Sequence, residues 1–163
     1  MGNVKPVPDG YHTITPYIVV KGIDEALNFY QKAFDAEKIH VALMPDGKTV
    51  MHAEMQIGDS RIMMNDEWPQ SNMLSPSSIG NSPVTLHLYV EDVDKIFQQA
   101  VDAGCQVGFP LEDTFWGDRY GLLIDPYGHK WSVATHKEDL TPEEMEKRSN
   151  EYFSRMGDHG EGN

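Results

Sequence analysis

The sequence predicts an α+β fold: two β-α-β-β-β modules forming cupped mixed sheets, with an added C-terminal helix. Three observations predict it. First, the chain carries one unit twice. ITPYIVVKGIDEALNFYQKAFDA begins at Ile14 and VTLHLYVEDVDKIFQQAVDAGC begins at Val84, an offset of 70 positions (84 − 14). Under that offset Thr15 meets Thr85, Val20 meets Val90, Ile23 meets Val93, Asp24 meets Asp94 and Leu27 meets Phe97. A period of this length is one supersecondary unit used twice. Second, each copy is followed by segments in which apolar and polar residues alternate, as in half-buried strands. Third, residues 67–83, EWPQSNMLSPSSIGNSP, are rich in Ser, Pro and Asn and read as a linker between the halves. The expected organisation is an arm over 1–12, a module over 13–66, the linker over 67–83, a module over 84–137, and a C-terminal helix and acidic tail over 138–163.

The first module opens with a strand expected over Thr13–Val20. Ile14, Ile18 and Val20 share one face with Pro16, and Thr15, Tyr17 and Val19 share the other. The proline suits an end or edge position. A helix follows from about Ile23 to Phe34, with Ile23, Leu27, Tyr30 and Phe34 forming one apolar stripe. EKIHVALM reads as a strand, PDGK as a turn, and TVMHAEMQI as a third strand. In that strand Met51, Ala53, Met55 and Ile57 are expected on one face, with Val50, His52, Glu54 and Gln56 on the other. GDS turns the chain into a fourth strand, RIMMND. The methionines Met44, Met51, Met55, Met63 and Met64 crowd this half and read as core filling.

The second module repeats the plan. Strand Val84–Val90 places Leu86, Leu88 and Val90 toward the helix and Thr85, His87 and Tyr89 away from it. Val93, Ile96, Phe97, Ala100 and Val101 give a helical stripe over Val93–Ala103, and Gly104 ends it. Cys105–Phe109 reads as a short strand stopped by Pro110. The loop LEDTFWGD, the strand RYGLLID, the turn PYGH and the strand KWSVATH complete the module. Thr141-Pro142-Glu143-Glu144 then opens a helix outside the repeat, with Thr141 as cap, proline in the first turn and Glu144 closing a capping box.

Composition bounds the function. The chain has 163 residues, 39% hydrophobic and 24% charged, which suits a globular core. A net charge of −13 repels phosphate backbones and anionic lipid surfaces, so neither nucleic acid nor a membrane is an expected partner. Cys105 is the only cysteine, which leaves no internal disulfide and no cysteine-based zinc cluster, and suits a reducing compartment. No apolar run has membrane-spanning length, and MGNVKPVPDGYH lacks a signal-peptide core. A cytoplasmic protein is expected.

The segments ITPYIVVKGIDEALNFYQKAF, HAEMQIGDSRIMMNDE, LHLYVEDVD and FWGDRYGLLIDPYGHKWSVATH resemble the vicinal oxygen chelate superfamily. That superfamily includes glyoxalase I, extradiol dioxygenases, fosfomycin-resistance enzymes and bleomycin-resistance binding proteins; the PhnB-like branch is the nearer likeness. The resemblance spans residues 13–137. It implies cupped sheets, a homodimer and a cavity holding a small molecule. Its metal-using members draw ligands from four strand positions, which fall here on Thr15, Thr85, Ser132 and a residue near Ile62 or Met63. None of these supplies an imidazole or a carboxylate, so the expected cofactor is none.

The expected ligand-binding residues are Tyr17, Thr85, His87, Tyr89 and Ser132 on the polar strand faces, with His52 beside them and Trp116 and Arg119 at the rim. Trp116 and Tyr120 offer flat contact area and Arg119 a forked donor; alternatively, Asp118 and Arg119 pair to fix a structural turn. His87, His52 and Glu54 are the catalytic candidates, since histidine titrates near neutrality. A displaced metal site of His52, Glu54 and His87, holding zinc, nickel, manganese or iron, is the alternative, and would make the chain a lyase, isomerase or dioxygenase. His40, His136 and His159 have no partner at a recognisable spacing. Three readings stay open: a metal-free small-molecule binder, a metal-dependent enzyme, and an interaction subunit whose C-terminal helix docks elsewhere.

Overall fold

The computed structural model describes residues 4–157. Among the described residues, eight strands form two four-stranded sheets. β1 (Tyr17–Val20), β2 (Glu37–Leu43), β3 (Val50–Ile57) and β4 (Ser60–Asp66) form the first, in the order β1-β4-β3-β2. β5 (Thr85–Tyr89), β6 (Gln106–Asp113), β7 (Asp118–Ile124) and β8 (Lys130–His136) form the second, in the order β5-β8-β7-β6. In each sheet the opening strand runs parallel to the closing one and the other pairs are antiparallel. The fold is therefore α+β from paired β-α-β-β-β modules, each sheet mixed.

The helices sit where the apolar stripes place them. α1 (Ile23–Phe34) buries Ile23, Leu27, Tyr30 and Phe34, and α3 (Val93–Ala103) buries Val93, Phe97 and Ala100. Gly104, at φ 123, accommodates a backbone turn that a side chain would strain. α1 and α3 pack on each other. α1 also reaches the second sheet, with Phe34 4.8 Å and Tyr30 5.6 Å from the ring of Trp131, both tilted to it. One continuous core results. Its inter-module latch is Asp125: one carboxylate oxygen accepts from Tyr30 Oη at 2.6 Å and Trp131 Nε1 at 2.8 Å, the other from the backbone N–H groups of Tyr127 and His129. Burial first, then the Asp125 charge, pushes the Tyr30 hydroxyl well above its ordinary range. The DPYGH turn thus has a structural use.

α4 (Pro142–Gly157) starts with the expected capping box: Glu144 N–H donates to Thr141 Oγ1, and Thr141 N–H to Glu144 Oε2. It packs back on the second module through Tyr152, whose ring lies 5.2 Å from that of Phe115. A short helix α2 (Pro76–Ile79) and a 3-10 turn at Pro69–Ser71 occupy the linker.

Three expectations are corrected. β1 begins at Tyr17, not Thr13, because its partner register starts at Met63; Ile14 is 85% exposed. β6 does not stop at Pro110 but runs through it to Asp113. It is an edge strand with two register shifts, so the missing N–H falls where no ladder bond is required. Met51 does not face the core. β3 carries an extra residue opposite the Ala42–Leu43 step, so alternation slips there: Val50 is buried and Met51 is exposed.

Candidate functional site

Each sheet turns its apolar side to the helices, and strand alternation puts the polar residues on the opposite side. The structure joins the expected site residues in two groups, one per sheet. On the first sheet, His52 Nε2 lies 3.3 Å from Glu54 Oε1, and His52 Nδ1 lies 3.4 Å from Tyr17 Oη. Tyr11 Oη donates to the other Glu54 oxygen. Burial pushes the Glu54 carboxyl up, but the bonds from Tyr11 and His52 outweigh it and leave it below its usual range. His40 pairs with Glu54 in the strand register.

On the second sheet, His87 and Ser132 face each other across the β5–β8 pair. His87 Nδ1 and Ser132 Oγ share a hydrogen bond of 2.6 Å, and Ser132 is 3% exposed. The His87 ring lies 4.5 Å from Tyr89, edge on, and 6.2 Å from Tyr120, nearly parallel at 16°. Tyr120 also meets Trp116 at 5.8 Å and Phe109 at 6.4 Å. Beyond Tyr120 the sheet and α4 enclose a cavity of about 230 Å³, walled by Phe109, Phe115, Trp116, Tyr120 and Tyr152, with Glu112 at its edge. On the other side, a groove of about 770 Å³ runs where the modules meet, past His87, Tyr89 and the β3–β4 turn. Thr85 stands exposed at the start of β5.

Asp118 organises this face. It is 5% exposed. One oxygen accepts from Tyr89 Oη and Trp116 Nε1, both at 3.2 Å; the other lies 2.7 Å from His136 Nδ1. His136 also meets Asp139 at 3.0 Å. These two carboxylates, Asp118 first, raise the His136 pKa above its ordinary value. His136 therefore has partners that its spacing in sequence did not suggest, brought together by the Asp118↔His136 register of β7 and β8. His159 lies outside the described residues.

Arg119 does not pair with Asp118. Its guanidinium reaches away to Asp94, at 2.6 and 2.8 Å, and to Asp113 at 3.2 Å. Those bonds raise its pKa and occupy the fork that an anionic ligand at the rim would use. Cys105 is buried, and burial first, then Asp125, pushes its thiol up to about 12, a poor nucleophile.

The displaced metal site is not assembled. His52 and Glu54 bond to each other and to two tyrosines on one sheet, whereas His87 is held by Ser132 on the other. Among the described residues, no three His, Cys, Asp or Glu side chains come together as a metal-holding group. The family's own ligand positions also lack suitable donors. Thr15 Oγ1 donates to the His12 carbonyl, Ser132 is bonded to His87, and the β4 position sharing a face with Tyr17 is Met63, since Ile62 is buried in the core. With Thr85, three hydroxyls and a thioether result, and these are weak ligands for zinc, nickel, manganese or iron. The residues present do not fit the implied metal.

A family model described as the Glyoxalase/Bleomycin resistance protein/Dioxygenase superfamily matches residues 10–133. An uncharacterised protein of Mycobacterium tuberculosis is 41% identical over 147 residues, covering 88% of this chain and 82% of its own. Among solved structures, TioX from Micromonospora sp. ML1 superposes with a TM-score of 0.60 at 22% identity, over 80% of this chain and all of its own. A PhnB protein from Bacillus cereus superposes at 0.56 and 22% identity, over 76% of this chain and 99% of its own. At these identities the structural likeness shows the fold.

Proposed function

We propose that this chain, which belongs to the glyoxalase/bleomycin resistance protein/dioxygenase superfamily, binds a planar small molecule on the aromatic face of its second sheet, with no metal in the family's usual place. The observation that carries this reading is the position of Tyr120. It lies between His87 and Trp116, so two ring faces and an imidazole line one continuous surface leading into the 230 Å³ cavity. Aromatic rings offer large flat contact area at low entropic cost, and stacked or edge contacts add about 0.5–1.5 kcal/mol per pair. A few fixed polar groups then set orientation.

Each residue has a part. Tyr120 stacks against the ligand, and Trp116, whose ring stands at 72° to Tyr120, meets it edge-on. His87, its Nδ1 held by Ser132, presents Nε2 as the remaining hydrogen-bonding atom. Asp118 fixes Tyr89 and Trp116 through their polar atoms, and is therefore a positioning residue. The test is a fluorescence titration with 2-naphthol, a neutral planar probe, in a Trp68→Phe background that leaves Trp116 as the exposed reporter. Saturable quenching that weakens tenfold or more in Tyr120→Ala supports the proposal. Quenching unchanged by that substitution would remove it.

A homodimer is part of the same proposal. The edge strands β2 and β6 carry exposed Val41, Leu43, Val107 and Phe109, and an exposed apolar edge favours pairing with a second copy. No helix among the described residues is long and apolar enough to cross a membrane.

A further inference from the structure

A cavity of about 400 Å³ lies between the start of β4, the segment before β1, and β5. Tyr120 does not line it, although His87 borders both this cavity and the aromatic surface. Arg61, His12, Ser60, Thr85 and His87 line it, with Asp59 as the carboxylate on its wall. The chain carries 26 acidic and 13 basic residues, so its arginines have many potential partners. Arg119 and Arg148 take them. Arg61 does not: among the described residues its guanidinium makes no hydrogen bond or ion pair, and its Nε is buried without a partner.

The arm holds that guanidinium in place. Its carbon sits 4.5 Å from the centre of the Tyr11 ring, a cation–π contact that uses the flat face and leaves the N–H edges unspent. Gly10, at φ 83, closes over it; a Cβ there would come within 2.6 Å of an Arg61 nitrogen. The Nε is shielded as well as unpaired, so an anion in the cavity would meet the terminal nitrogens of the Arg61 guanidinium, which also have no partner among the described residues. The lining supplies further donors. Thr85 carries a hydroxyl, whereas the Ser60 hydrogen is given to Asp59, and His87 has Nε2 left after Nδ1 meets Ser132. The Ser60 hydroxyl meets Asp59 Oδ1 at 2.8 Å, which occupies one oxygen of the carboxylate on the wall.

We propose that this cavity is an anion subsite, with the Arg61 fork and the Thr85 hydroxyl binding the oxyanion group of a small organic acid or phosphate. A guanidinium fork matches carboxylate and phosphate geometry with two parallel bonds. The inference goes beyond the aromatic slot and does not depend on it, since Arg61 and Tyr120 line different cavities.

The test is thermal melting with sodium phosphate or sodium benzoate against sodium chloride at equal ionic strength. Phosphate and benzoate separate the two chemical sources of the oxyanion. The expected result is a rise in Tm of 2 °C or more with at least one of them, lost in Arg61→Gln and retained in Arg148→Gln, which removes an equal charge at the surface. A rise no larger than that with chloride, or one that survives Arg61→Gln, overturns the proposal. If Arg61→Gln does not fold, the Arg61 Nε–H resonance of the unmodified protein is followed during the same titrations. A saturable shift supports the subsite, and an unmoved resonance overturns it.

Discussion

His87 and Ser132 hold each other across the parallel β5–β8 pair, Nδ1 to Oγ at 2.6 Å. The serine stands at one of the positions that the family resemblance implies for a metal ligand, and here its hydroxyl is used to fix an imidazole. This relationship links the weak metal donors to the proposed binding surface.

Replacing His87 by Ala should leave folding nearly intact, because the ring is exposed on the open face and the Ser132 hydroxyl can turn to water entering the vacated space. The expected loss is about 1 kcal/mol in a urea melt. Naphthol binding should weaken several-fold in the same variant. A large loss of stability with unchanged binding would make His87 a structural residue.

Asp118 and His136 give a pH signature. The pKa of His136 is raised in the folded state by Asp118 and then Asp139, so the pair's contribution is fully present below the ordinary value of 6.5. It is lost as pH rises through the raised folded value. Stability should therefore fall on that upward titration, and the step should shrink in Asp118→Asn, which leaves Asp139 as the remaining partner. Nuclear magnetic resonance titration of His136 checks the cause: an elevated pKa in the unmodified protein, moving toward 6.5 in the variant. An identical titration in both would break the link.

Tyr30→Phe removes one donor to buried Asp125 while keeping the ring packed against Trp131. The expected cost is roughly 1.5–3 kcal/mol, as for a hydrogen bond to a charged group. Asp125→Ala leaves Tyr30, Trp131 and two backbone N–H groups without their acceptor and should cost more than Tyr30→Phe. Chemical denaturation measures both. If Asp125→Ala melts like the unmodified protein, the DPYGH turn is not the latch described above.

Light scattering at micromolar concentration should give about twice the chain mass of 18.4 kDa. A mass near 18.4 kDa at that concentration would leave the exposed β2 and β6 edges without the second copy proposed for them.

The parts of the fold legible in sequence are those set by local periodicity. Ile23–Phe34 and Val93–Ala103 announce themselves by helical stripes, and Gly104 marks an end. Alternation also placed Thr85, His87 and Tyr89 away from the helix. What was missed depends on neighbours distant in the chain. Pro110 reads as a stop unless the strand is known to be an edge. Met51 reads as core unless the bulge against Ala42–Leu43 is known. Asp118 looks like a turn residue. Its burial and its bonds to Tyr89, Trp116 and His136 exist only once β5, β7 and β8 lie together. The separation of His52 and Glu54 from His87 has the same origin: a two-residue spacing says nothing about which sheet the third partner joins.

The most direct test of the central claim is calorimetric titration of chelator-treated protein with 2-naphthol. The account predicts saturable binding that is unchanged by EDTA or by added zinc or manganese, and that weakens tenfold or more in Tyr120→Ala. Binding that disappears with EDTA and returns with a divalent metal would contradict it, and would place the chain among the metal-dependent members of its family.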